Sequence, residues 1–136
     1  QIKKETHETT LSHLLINCIM FKKKYSYEQR LEESTRIRKA YPERIPVIIE
    51  RANCSNSDVA DLKKHKFLIP SHTTVAQVIG IIRKRVPLLS DDKSIFVFVN
   101  DTTMPASAQS LLELYEEHKD KDNFLYITYA GESTFG

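Results

Sequence analysis

The stretch "RIPVIIER", residues 44–51, decides how the rest of the chain is read. Ile45, Val47 and Ile49 alternate with Pro46 and Ile48, so a strand here is apolar on both faces and needs packing on each side. Pro42, just upstream, ends whatever helix leads into it.

Working outward, Ser26 with Gln29 three residues later forms a capping-box pattern, and Tyr27, Leu31, Ser34, Ile37 and Tyr41 then recur on one helical stripe. This predicts an amphipathic helix with a thin apolar face. Downstream, "NCSNSD" (53–58) reads as a loop, and "HKFLIP" (65–70) as a second short strand closed by Pro70, a residue suited to a sheet edge. "TTVAQVIGIIRKRV" (73–86) places Val75, Val78, Ile79, Ile82 and Val86 on one helix face and leaves Ile81 off it. "SIFVFVN" (94–100) is a third strand. "SAQSLLELYEEHK" (107–119) is a core-facing helix with Leu111, Leu114 and Tyr115 in register, and "FLYITYA" (124–130) is a fourth strand. The order after the leading helix, β β α β α β, predicts an α+β roll of the ubiquitin type, the β-grasp. Its last strand should be central, so that its exit carries "AGESTFG" (130–136) into solvent.

A length of 136 residues fits one domain, and 40% hydrophobic with 28% charged residues fits a globular chain. No apolar run approaches the roughly 18 residues of a membrane span. The net charge of +2 hides an asymmetry: residues 1–40 carry nine Lys/Arg against five Asp/Glu, the remainder eleven against thirteen. A basic front is either an arm for an acidic surface or a solvated helix face. Cys18 and Cys54 sit in no zinc or redox spacing and read as reduced thiols, which favours the cytosol. "LSHLLINCIM" (11–20) contains His13 and Asn17 and runs into Lys22, Lys23 and Lys24, which is no signal peptide. Beginning on Gln1, the sequence reads as a fragment or a processed form.

Catalysis would need a nucleophile and its base, but Cys54 has no histidine near it in sequence, and His65, His72 and His118 read as surface or helix-end residues. No enzyme, metal or cofactor is expected. The carboxylates of "HKDKD" alternate with lysines as a solvated face does. "FKKKY" and "RKR" would suit a nucleic-acid module, but the body is acidic, so no nucleic acid is expected.

Several stretches in order, "FKKKYSYEQR", "ERIPVIIE", "KFLIP", "IRKR", "IFVFVND" and "YEEHKDKDNFLYITYAGESTFG", resemble the autophagy ubiquitin-like modifiers. This is the family of autophagy-related protein eight that includes light chain three and GABARAP. The likeness runs from about Phe21 to Gly136. Residues 1–20 are then an unmatched leader, expected to be disordered, with a helical part at about 21–41, a core at about 44–130 and a tail at 131–136.

The resemblance implies a tag whose C-terminal glycine, exposed by a cysteine protease, is activated by dedicated activating and conjugating enzymes and joined to the amine of phosphatidylethanolamine. Gly136 would be the acyl donor, with Phe135 and the preceding tail read by the enzymes, and a chain ending there resembles the conjugation-ready form. Glycine suits the step physically, because an acyl carbon with no Cβ beside it is open to attack and threads narrow channels. The implied site of action is the cytoplasm, then the autophagosome membrane after lipidation.

The resemblance also implies a groove for cargo receptors bearing an aromatic-x-x-aliphatic motif, added as a strand beside the edge. The aromatic pocket would use Glu33, Ile37, Pro46, Ile48, Lys66, Leu68 and Phe124; the aliphatic pocket Phe67, Pro70, Val78, Ile81 and Ile82. Lys66 and Leu68 would offer main-chain bonds, and Lys66, Arg44 and Arg85 would meet acidic residues flanking the motif. Thr73 and Val78 stand where much of the family has a leucine and a large aromatic, which implies a shallower or wider floor. Asn123 replaces a common glycine. Family likeness offers the basic front contact with tubulin or membranes, and the alternative reading is a non-covalent adaptor or microtubule-associated module.

Overall fold

The computed structural model describes residues 20–52, 59–100 and 102–131. The elements run α1 (Met20–Lys24), α2 (Tyr27–Ala40), β1 (Arg44–Arg51), β2 (Lys66–Pro70), α3 (Val75–Arg85), β3 (Phe96–Val99), α4 (Leu111–His118) and β4 (Leu125–Ala130). The leading helical part is thus two helices. Ser26 separates them: its side chain accepts from Gln29 N–H while the Gln29 side chain accepts from Ser26 N–H, so α2 starts afresh. Reciprocal boxes also open α3, through Thr74 and Gln77, and α4, through Ser110 and Glu113.

The four strands form one sheet of order β2-β1-β4-β3. β1 pairs antiparallel with β2 and parallel with β4, which in turn pairs antiparallel with β3. The last strand is central, as the element order predicts, and both β1 and β4 are buried on both faces. On the inner face, Ile45, Val47, Ile49, Leu125, Ile127 and Tyr129 pack against Val75, Val78 and Ile82 of α3 and Leu111, Leu114 and Tyr115 of α4. Ile79 lies only at the margin of this core, although the helical spacing groups it with Val78.

On the outer face α2 covers Ile48, Phe124 and Tyr126 with Ile37. Its buried stripe is Arg30, Ser34 and Ile37. Tyr27 and Tyr41, which the spacing assigns to that stripe, are exposed. The reason is a polar fastening: Arg30 reaches the wholly buried Asp122 at 3.1 Å, and Ser34 donates to the Asp122 carbonyl at 2.6 Å. Asp122 also accepts from Phe124 N–H and the Tyr126 hydroxyl. Burial pushes the Asp122 carboxyl above the usual carboxylate range, against the pull of Tyr126, Phe124 N–H and Arg30. Beside it, Asp120 pairs with Lys22 of α1 at 2.6 Å; burial pushes its carboxyl upward, but Lys22 and the Asp122 N–H prevail and hold it below the usual carboxylate range. The turn closes on Asn123 at φ 68, a left-handed conformation that asparagine tolerates better than most residues and glycine best.

Candidate functional site

β2 is an edge strand, and its register with β1 settles which of its main-chain groups are free. Ile49 N–H donates to His65 C=O and Ser71 N–H to Glu43 C=O, so the hydrogen-bonded pairs between them are Val47 with Phe67 and Ile45 with Ile69. Lys66 and Leu68, opposite Ile48 and Pro46, therefore turn their own N–H and C=O toward the open edge. An incoming extended chain would meet two donors and two acceptors there, one of which, the Leu68 carbonyl, already accepts from Arg44 Nη1 at 3.2 Å. Pro70 has no N–H and closes the edge at its far end.

Side chains alternate across this edge. Lys66, Leu68 and Pro70 are half-buried and face outward with Pro46 and Ile48. The residues expected in an aromatic pocket gather here: Ile37, Ile48 and Phe124 share one cluster with Leu68 packed against it, and Pro46 is buried opposite Leu68. Ile37 is 2%, Ile48 1% and Phe124 0% exposed, so they make a closed floor, and Leu68 is its accessible wall. Glu33 of α2 spans the entrance, with its carboxylate 2.6 Å from Lys66 Nζ and 2.8 Å from Arg36. Hydrogen bonds from Arg36, then Lys66, hold the Glu33 carboxyl below its ordinary value.

The residues expected in an aliphatic pocket divide differently. Val78, Ile82 and Phe67 belong to the main core, whereas Ile81 and Pro70 are half-buried at the surface. Ile81, off the core stripe in sequence, packs on the core from its margin. Thr73 is buried beside this floor and accepts Leu111 N–H on its carbonyl. The Arg85 guanidinium stands 5.6 Å from the Phe67 ring centroid and Lys64 Nζ also 5.6 Å, which puts cations at the strand's flank.

A cleft of about 860 Å³ opens at the start of β2 between α1 and the preceding loop. It shares Glu33 and Lys66 with the aromatic set and adds Lys63, Lys64 and His65. Sequence reasoning missed these residues, although the run "KKHK" at 63–66 was the available signal. At its base, Glu50 is buried and accepts the N–H groups of Met20 and Phe21, each at 2.8 Å. Burial raises the Glu50 carboxyl above its usual range despite those two bonds. Phe135 and Gly136 lie outside the described residues. Among the described residues, no cluster of His, Cys, Asp and Glu is arranged to hold a metal, and no helix is long and apolar enough to cross a membrane.

A four-stranded mixed sheet with β4 at its centre, crossed by α3 on one face and fastened to two added helices on the other, defines a ubiquitin-like β-grasp protein. The family model described as "Autophagy protein Atg8 ubiquitin like" matches residues 29–136. Autophagy-related protein 8b of Arabidopsis thaliana is 51% identical over 116 residues, covering 85% of this chain and 92% of that protein. Autophagy-related protein 8 of Schizosaccharomyces pombe is likewise 51% identical over 116 residues, with 85% and 93% covered. The same-named protein of Candida glabrata is 49% identical, with 85% and 95% covered. The chain belongs to the Atg8 family, whose members are ubiquitin-like modifiers of autophagy and not enzymes.

Proposed function

We propose that this chain is a membrane-conjugated autophagy tag that recruits receptors through the β2 edge. The observation that carries the receptor half is the outward main chain of Lys66 and Leu68, set between two apolar surfaces on an unpaired edge. A peptide adds there as a strand. Its aromatic side chain seats against Leu68 over the floor of Ile37, Ile48 and Phe124, and its aliphatic side chain against Ile81 and Pro70. Entry requires the Lys66–Glu33 pair to open and Arg44 to release the Leu68 carbonyl. Acidic residues before the aromatic then meet Lys63, Lys64 and Lys66, while Arg44 and Arg85 serve the rest of the motif.

The conjugation half rests on family membership and on the glycine at residue 136. A cysteine protease frees the Gly136 carboxyl and the activating enzyme spends ATP to form a thioester on a cysteine. The amine of phosphatidylethanolamine then attacks the acyl carbon, forming an amide and releasing the thiol. The tag thereby moves from cytoplasm to autophagic membrane.

The groove is tested by titrating the isotope-labelled chain with a synthetic peptide containing Trp-x-x-Leu after an acidic stretch. Amide shifts at Lys66 and Leu68, together with an affinity that falls as salt rises, are expected. Shifts confined to other faces would overturn the edge-strand reading.

A further inference from the structure

Leu88 stands wholly in solvent at 102% exposure, whereas the other exposed large hydrophobic side chains among the described residues reach 51% at most. It is also held at φ 59, and the other described non-glycine residues at positive φ are asparagines, Asn100 and Asn123, which tolerate that region. A leucine there is strained and persists only where its neighbours fix it. They do so on both sides. Val86 before it is buried in the core and Leu89 after it packs on the core margin, so the chain dips inward at each and turns Leu88 out. The loop beyond is clipped to α3, because the Arg83 guanidinium donates to the carbonyls of Ser90 at 3.4 Å, Asp91 at 3.2 Å, and Lys93. Lys93 N–H returns to the Ser90 carbonyl at 3.2 Å. An apolar side chain is thus displayed on a braced loop, outside every hydrophobic cluster of the described residues.

The register puts that loop at the root of the tail. Phe96, where β3 begins, pairs with Ala130, where β4 ends. The segment that feeds β3, residues 86–95, therefore arrives at the end of the sheet from which Gly131 departs. Gly136 is five residues beyond Gly131, a reach of roughly 17 Å at most, whatever path they take. A lipid joined to Gly136 brings the bilayer surface within that distance of this end of the sheet. The exposed charges around Leu88 balance, with Lys84 and Arg85 before it and Asp91 and Asp92 after it, so what favours contact with a bilayer is the apolar side chain itself.

We propose that Leu88 is a membrane-contact residue: once Gly136 carries its lipid, this side chain enters the interfacial region of the same bilayer and orients the domain on it. The inference rests on the conjugation reading above. A lone leucine holds no protein to a membrane, but beside a covalent anchor it selects which end of the domain lies against the lipid. The β2 edge then keeps a fixed orientation to the membrane.

The test bypasses the enzymes, so that failure of conjugation is not confused with failure of contact. In the full chain, Gly136→Cys with Cys18→Ala and Cys54→Ser leaves one thiol for coupling to a maleimide phosphatidylethanolamine in phosphatidylcholine vesicles, and intact mass verifies the coupling. The chain has no tryptophan, so Leu88→Trp in this background is the sole indole fluorophore. On the vesicles its emission should move to shorter wavelength and lose about half or more of its intensity to lipids brominated on the acyl chains, with no change in high salt. Leu112→Trp should do neither, since Leu112 N–H bonds to Ser71, just past the Pro70–Arg44 pair at the opposite end of the sheet. In the chain that keeps Leu88, hydrogen exchange at the Leu88 and Leu89 amides should slow by about threefold or more on the vesicles. Leu88→Asp, which suits the left-handed turn, should abolish that slowing. Unshifted emission from Leu88→Trp on verified conjugates, or exchange at Leu88 and Leu89 that coupling leaves unchanged, would overturn the proposal. An equal shift from Leu112→Trp would overturn it as well, as adhesion without orientation.

Discussion

In the proposed groove, Leu68 is the residue at which recognition and stability separate. It is half-buried on the rim of a floor whose other members are closed off, so truncating it removes contact surface for a ligand and little from the core. Leu68→Ala is expected to weaken peptide binding by about 1–2 kcal/mol, the range of a typical interface anchor, and to lower folding stability by less than about 1 kcal/mol, as calorimetry and urea denaturation would report together. Phe124→Ala should do the reverse to stability, costing about 3–5 kcal/mol because a fully buried ring leaves a cavity. Glu50 supplies a pH signature. Its carboxyl holds a proton more tightly folded than unfolded, because burial disfavours the charge. Its contribution is therefore full below the ordinary carboxylate value and is lost as pH rises through the raised one. Glu50→Gln should flatten that part of the stability profile in denaturation measured across pH. Leu68 and Ile81 were named in sequence from family likeness and from the odd placement of Ile81, and both are half-buried at the surface. Glu50 was not, because a glutamate in an apolar strand gives no sign that it will accept the N–H groups of a helix some thirty residues earlier.

At the scale of elements, the turn between α4 and β4 holds the two added helices to the sheet. Asp122 joins α2 to β4 through Arg30, Ser34 and Tyr126, and Asp120 joins α1 through Lys22. Asp122→Ala strands the Arg30 guanidinium in the interior and should cost about 3–5 kcal/mol, read as a lower denaturation midpoint. Asn123→Gly should hold stability level or raise it by up to about 1 kcal/mol, whereas Asn123→Val should lower it, since a β-branched residue resists the left-handed turn. The strands, α3 and α4 were visible in sequence because of their apolar runs and the helical spacing of their core residues; the capping boxes that open α3 and α4 came from the structure. The separate α1 and the inward turn of Arg30 were hidden for a common reason. A basic run reads as solvated surface until its acidic partners, some ninety residues later, are brought beside it.

For the whole molecule, the order β2-β1-β4-β3 divides the work between two places. Among the described residues β2 is an edge strand, and the central strand β4 is the one that leads into residues 131–136. On the proposed reading the edge grips extended peptides and the tail is the point of attachment. The order of elements followed from hydrophobic periodicity with capping, proline and loop signals, and the central last strand from the β-grasp arrangement that this order implies, but the state of the groove did not. Its Lys66–Glu33 closure joins residues on different elements that no local pattern pairs. The most direct test of the central claim is intact mass after incubation with the matching activating and conjugating enzymes, ATP and phosphatidylethanolamine liposomes. The predicted result is a gain of one phospholipid less water on the wild-type chain and none on Gly136→Ala. An unmodified mass on a folded wild-type chain, with an active enzyme control in the same reaction, would contradict it.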